Sequence, residues 1–292
     1  WESPMRPRTA ERMAPSPGWP SPMTGTLAAA SSPPPVALPF SAHKWVALGR
    51  CGSGRGGRKG QLMEGWALFA EPFRVGEIVC LERRSNLQNF HAEVVGPLQG
   101  AEAGSFAGVQ PVRCMDGSAA VVHAEPRKMA RVLPVSPPRV LLMADTTNFR
   151  RMAKTQVGPR DAVLEIGSAL GDCTRLLSCH AALAVGVDLS EAFVKESRRQ
   201  HPQCRFEWLD FFEEPRRLDA LWQELCAAGQ LKIFIDVGGD RAAADVCRIL
   251  SALGEVAAAK GDAQQPCLVV VKSRELAMAA EASECDADGV VL

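Results

Sequence analysis

Four acidic side chains fall at the ends of short apolar runs in the second half of the chain: Glu165 in "AVLEIG", Asp188 in "AVGVD", Asp210 in "RFEWLD" and Asp236 in "IFID". Between the first two lies "GSALG", with Gly167 and Gly171 four residues apart and Ser168 beside the first. In a parallel sheet the polar residues at the C-terminal ends of strands converge on one crevice. A glycine-rich turn leading into a helix brings backbone N–H groups and the positive helix end to the same place. Asp188 follows Gly167 by 21 residues, the offset at which an acid meets ribose hydroxyls in nucleotide-binding βαβ units, so the expected ligand is adenosine-like. A dinucleotide fingerprint would want glycines at 167, 169 and 172; the chain has Gly167, Ala169 and Asp172, which weakens a pyrophosphate ligand.

The elements needed to hold these residues are legible in the periodicity. From 162 onward strands (162–167, 183–188, 204–209, 232–237, 267–272) alternate with helices (172–180, 190–200, 215–228, 240–253, 274–283), the signature of a doubly wound, mostly parallel α/β sheet. Val246, Ile249, Leu250 and Leu253 share one helix face, as packing on a sheet requires. Within residues 138–157, Thr146 or Thr147 caps a short lead-in helix that "GPRD" breaks. Upstream, "FRVGEIVCLER", "FHAEVVG", "GVQPVRCM", "AAVVHAE" and "KMARVLPV" are five short alternating runs separated by turn residues. They predict a small β-barrel over 61–137, preceded by a disordered or targeting segment over 1–60 and followed by the α/β domain over 138–292.

The spacing E-x-G-x-x-x-G, with Asp188 and then Asp210, is similar to the class I S-adenosylmethionine-dependent methyltransferases, over about residues 140 to 285. That resemblance implies a Rossmann-like domain with S-adenosyl-L-methionine as cofactor. Gly167, Ser168 and Gly171 would admit its methionine moiety, with Glu165 behind them. Asp188 would grip the ribose, Leu189 and Phe211 would sandwich adenine, and Asp210 would accept from the exocyclic amine. Plain competitors stand beside these roles: Glu165 and Asp188 as helix caps, Asp210 as the acidic start of the next helix, and either Phe211 or Phe212 as core. The small barrel is similar in pattern to SH3-like (Tudor or KOW type) modules that bind peptides or RNA. Its aromatics Trp66, Phe69, Phe73 and Phe90 would form either a binding surface or the barrel core.

The acceptor is to be read at the last two strand tips. Asp236 precedes Val-Gly-Gly rather than the Pro-Pro-aromatic of amino-methylating enzymes. Together with Lys272 and Lys154 it resembles the Lys-Asp-Lys part of the tetrad of RNA 2′-O-ribose methyltransferases, in which a carboxylate orients a lysine that deprotonates the ribose hydroxyl. An RNA ribose hydroxyl is thus the first acceptor to consider. Arg150 and Arg151 are rivals of Lys154, and Glu275, Glu281 and Glu284 follow the strand too closely to close the tetrad. The alternatives are a non-catalytic S-adenosylmethionine-binding module that recruits a partner, and an NAD-dependent oxidoreductase.

Composition bounds the rest. The 292 residues are formally neutral, yet residues 1–60 carry eight Lys/Arg against two acids, leaving 25 against 31 elsewhere, so broad adhesion of the body to nucleic acid is disfavoured. No apolar run reaches the roughly 18–20 residues of a membrane span. Ten cysteines without a C-x-x-C or a histidine at metal spacing suggest reduced thiols and no zinc. "GRCGSGRGGRKG" departs from the P-loop because Lys59 precedes Gly60. The Pro/Ser/Arg-rich head suits an organelle transit peptide, or a translated upstream region or mispredicted exon, since it starts at Trp1. The expected compartment is intracellular, the cytoplasm or, with a transit peptide, a plastid or mitochondrion. The closing "DADGVVL" suffices for one further strand, which predicts a truncated sheet with an exposed edge near the last strand.

Overall fold

The structure, a computed structural model, describes residues 45–48, 68, 73–82, 89–100, 107–135, 139–237 and 243–279. The chain divides into two units, Trp1–Ala37 and Leu38–Leu292, and every described residue belongs to the second. Strand β1 (Trp45–Leu48) comes first, within the stretch whose composition suggests no regular structure. The short strands β2 (Ile78–Leu81), β3 (Phe90–Val94), β4 (Gln110–Cys114), β5 (Val121–Ala124) and β6 (Met129–Arg131) follow. Then come β7 (Arg139–Met143), α1 (Thr146–Thr155), β8 (Asp161–Ile166), α2 (Asp172–Ser178), β9 (Leu183–Asp188) and α3 (Glu191–Gln200). The remainder is β10 (Arg205–Trp208), α4 (Pro215–Ala228), β11 (Gln230–Ile235), α5 (Ala243–Lys260), β12 (Leu268–Lys272) and a helical stretch over 274–279.

β1 and β7 to β12 build one seven-stranded sheet in the order β1-β7-β12-β11-β8-β9-β10. Each neighbouring pair is parallel, and helices cover both faces, an α/β arrangement compatible with a Rossmann-like fold. Two corrections to the sequence reading concern its far side. "RVLLM" (139–143), ahead of the short helix, is a strand, the cap of that helix is Asp145 rather than Thr146 or Thr147, and "WVAL" (45–48) pairs beside the strand, with Trp45 opposite Val140 and Leu48 opposite Met143. The two strands beyond β12 are therefore supplied from upstream. β12 is interior, paired with both β11 and β7, so the exposed edge expected there is absent among the described residues. "DADGVVL" lies outside them.

The sheet is buried on both faces because its strands alternate sides. Ala162, Leu164 and Ile166 of β8 pack with Leu218, Leu221, Trp222 and Leu225 of α4 and with Val246, Ile249, Leu250 and Leu253 of α5. Val163 faces the other way, among Phe149 and Met152 of α1 and Leu176 and Leu177 of α2. α5 runs past Leu253 to Lys260, because buried Gly254 does not outweigh Glu255, the three alanines and Lys260 that follow it. Among the described residues, no helix is long and apolar enough to cross a membrane.

β2 to β6 form a separate antiparallel sheet in the order β5-β4-β3-β2-β6. Its strands lie where the alternating runs place them. Among the described residues β5 and β6 do not pair, so the strands make an open sheet rather than the closed barrel expected. Phe73 joins Val79, Ala92, Val94, Val112 and Met129 in its core, and Phe90 packs against that cluster. Two of the four aromatics are thus structural; Trp66 and Phe69 lie outside the described residues.

Candidate functional site

The strand order sets the crevice. β8, β9 and β10 step away in one direction, and β11 then returns to the other side of β8. Connections therefore diverge above the β8–β11 boundary, the position at which open α/β sheets receive ligands. The glycine turn sits there. Gly167 has φ +83°, and a Cβ on it would lie 2.2 Å from the carbonyl oxygen of Asp236 at the end of β11. Only glycine lets the two strand ends approach so closely. Gly171, at φ +85°, starts α2, and a Cβ there would meet the Phe206 ring at 2.4 Å.

Between them Ala169 also adopts a left-handed conformation, at φ +44°, which an L-residue resists. Its N–H donates to Asp188 Oδ2 at 2.8 Å, and the other oxygen, Oδ1, accepts from Ser190 N at 2.8 Å. The carboxylate ending β9 thus clamps the turn and the start of α3 together. Gly167 N and Ser168 N both donate to Val187 O, and Gly171 N donates to Ser168 O. Four N–H groups of the turn are consequently engaged, three by β9 and one by Ser168 O. Ser168 Oγ is buried and has no hydrogen-bond partner among the described residues.

Glu165 lies beneath this turn, 2% exposed. Its Oε2 accepts from the Thr174 hydroxyl of α2. Burial pushes its carboxyl up to about 8, against the opposing pull of hydrogen bonds from Thr174 and Cys173, while Asp236 raises it further and Arg150 lowers it. The Cys173 thiol is in turn held well above its ordinary value by burial and by Glu165. Gly186 of β9 makes room for this packing, since a Cβ there would meet Thr174 Oγ1 at 2.4 Å.

At the next tip Asp210 turns to its own chain. Its Oδ1 accepts from Phe212 N at 2.9 Å and Glu213 N at 3.2 Å, while Glu214 Oε2 accepts from Asp210 N. These bonds close a turn over 210–213, ahead of α4, whose N-cap is Glu214. Phe211 is a core residue, grouped with Leu209 and Leu218 on the α4 side and edge-on to Phe212 at 5.4 Å. Its assignment to the adenine face is corrected accordingly. Trp208 is the aromatic left open: it is 49% exposed, stands in register with Asp188, and its Nε1 donates to Leu189 O at 3.0 Å. Leu189 and Leu170 are exposed as well. Strand parity could have found it, since Trp208 shares a face with Phe206 and therefore with the glycine turn.

On the β11 side Lys272 Nζ lies 2.6 Å from Asp236 Oδ1 and 2.7 Å from Oδ2, and donates to Thr146 Oγ1 at 3.3 Å. Asp236 and Lys272 are thus brought together, against the first residue of α1. Lys154 is not. It lies eight residues further along that helix, about 12 Å down its axis, where its carbonyl accepts from Asn89 and Cys80 of the small sheet. The cation that α1 delivers to the crevice is Arg150, 3.2 Å from Asp172 Oδ2 and close enough to Glu165 to lower its carboxyl. His201 approaches the other oxygen of Asp172 at 3.7 Å.

The described residues therefore place acids at the β8–β10 strand ends and an Asp–Lys pair at the β11–β12 ends. No family model and no curated protein matches the chain.

Proposed function

We propose that the chain is a class I S-adenosylmethionine-dependent methyltransferase, with the small sheet an SH3-like module beside it. The observation that carries this reading is Asp188, fixed against the glycine turn at the switch point of the sheet. An ionised carboxylate has about four lone-pair sites; the N–H groups of Ala169 and Ser190 use two, leaving the rest for a ribose diol. The buried, unpartnered Ser168 hydroxyl fits a ligand at the same turn. A phosphate would want free N–H donors, and the turn has already committed those of residues 167, 168, 169 and 171. That favours a sulfonium nucleoside over a dinucleotide.

Bound there, S-adenosylmethionine would supply an already activated methyl group. The chain's own task is then to orient a nucleophile. Asp236 and Lys272, steadied by Thr146, are suited to hold a hydroxyl, and an RNA ribose is the acceptor we favour. A non-catalytic cofactor-binding module is the second reading, favoured by the distance of Lys154 from the pair.

Calorimetry on the full chain tests the proposal. S-adenosylmethionine or its demethylated product should bind, and Asp188→Asn should weaken binding by roughly tenfold to a hundredfold, the worth of one or two charge-assisted hydrogen bonds. Equal affinity in a variant that melts as a folded protein, or tighter binding of NAD, would reject it. Cofactor binding without transfer of labelled methyl to fractionated RNA, protein or metabolite pools would favour the second reading.

A further inference from the structure

The last turn of a helix leaves backbone carbonyls without partners, and α1 meets that need in an unusual way. Lys154 O accepts from Asn89 Nδ2 at 3.4 Å and from Cys80 Sγ at 3.6 Å. Thr155 O lies 3.3 Å from His91 Nε2. Gln156 O accepts from Lys232 Nζ at 2.5 Å. Three successive carbonyls are thus closed from outside, two of them by strands or strand ends of the small sheet. The Gln156 side chain completes the junction, taking Leu133 N at 2.9 Å and donating to Arg131 O at 2.8 Å.

His91 sits where this junction meets the base of the large sheet. Its ring presses on Gly158, where a Cβ would come within 2.9 Å of Cε1. The charged groups around it are lopsided. Lys232 of β11 and Arg160, just before β8, are cations facing the ring, and Asp161 of β8 is the carboxylate opposing them. That carboxylate is already engaged, bonded to Lys232 Nζ at 2.8 Å and to Gly158 N at 2.7 Å. His180, after α2, is a second imidazole within electrostatic reach of His91 and of Lys154. Across the small sheet His91 stands opposite Cys80, and Cys267, ahead of β12, faces the Lys232–Asp161 pair. A positive charge on His91 would join cations whose one counter-charge is spent.

We propose that His91 is a pH-sensitive latch: the neutral ring ties the small sheet to the end of α1, and the charged ring loosens that junction. Burial first, and Lys232 next, hold the His91 pKa below its ordinary value of 6.5. The sign follows from proton linkage. A ring that binds its proton more weakly when folded leaves the junction fully stable above about 6.5 and weakens it as pH falls through the folded value. His180 is lowered as well, by burial and then by His91 and Lys154, so the two rings need separate variants.

The test is hydrogen exchange on the full chain at pH 7.5 and pH 5.0, corrected for intrinsic rates. Segments 129–135 and 150–158 should lose protection at the lower pH, the direction that a lowered folded-state pKa dictates. His91→Gln, which can still donate to Thr155 O, should remove this pH dependence, and His180→Gln should keep it. Equal loss in His91→Gln and the unaltered chain would overturn the latch, as would unchanged protection in the latter. If His91→Gln does not fold, the His91 ring can be titrated by NMR in the unaltered chain. A midpoint below 6.5 that moves with the Thr155 and Gln156 amide signals supports the proposal; a midpoint at or above 6.5 refutes it.

Discussion

Burial beneath the glycine turn changes what Glu165 can do. With its carboxyl raised to about 8, the folded chain holds this proton over a range where the unfolded chain has lost it. Its contribution is fully present below the ordinary value of 4.5 and is lost as pH rises through about 8. Glu165→Gln keeps the acceptor for Thr174 and removes the ionisation, so it should flatten the fall in stability between pH 5 and pH 8.5 seen in denaturant titrations. An undiminished fall in the variant would contradict this account. At the same scale the carboxylates at the strand tips were legible in the sequence, because the rule that strand ends converge needs only strand boundaries. Phe211 and Lys154 were not. Phe211 follows an acid, but with Leu209 it points to the α4 side, so position after a motif gave the wrong face. Lys154 has the right order along the chain, yet eight residues of helix separate it from Thr146, and order carries no distance.

Among the elements, α4 and α1 show two ways in which a helix is held. α4 is held by burial: Trp222 is fully buried among residues of β8, β11 and α5, and its Nε1 donates to Gln264 O at 3.0 Å. Trp222→Ala should cost about 3–5 kcal/mol by urea unfolding, and Trp222→Phe distinctly less. A loss under roughly 1 kcal/mol for the alanine variant would show that the site collapses without penalty. α1 is held at its ends, Thr146 by Lys272 and residues 154–156 by the small sheet and Lys232. Periodicity shows α1 as a helix but says nothing of what closes its carbonyls, because those partners lie 60 to 80 residues away. The five runs of the small sheet were equally visible, whereas closure depends on whether β5 meets β6, a long-range fact. β7 was missed because Val140 to Met143 form a short continuous apolar run ahead of the helix cap, with no alternation to mark a strand.

At the scale of the whole molecule, the small sheet lies in sequence between β1 and β7, two neighbouring strands of the large one. The domain boundary at 138 suggested by composition therefore divides the large sheet. A chain begun at residue 138 would lack β1, leaving β7 as an edge strand paired only with β12, and would lack the partners of the Lys154 and Thr155 carbonyls. Compared with residues 38–292, it should melt lower and aggregate on concentration. Equal melting and solubility of the two would show that these contacts add nothing measurable. "WVAL" reads as structure only through its pairing with β7, which no local pattern in a proline- and glycine-rich stretch announces.

The pairing of Trp45 with Val140 spans 95 residues and is parallel, so it cannot form as a hairpin. During synthesis at about 5–20 residues per second, β1 waits roughly 5 to 20 seconds for its neighbour to be translated. Throughout that interval the nascent chain carries an unsatisfied apolar strand ahead of a growing module. Ribosome pausing between the two, or a chaperone that shields the waiting segment, would govern how much of the product reaches the native state.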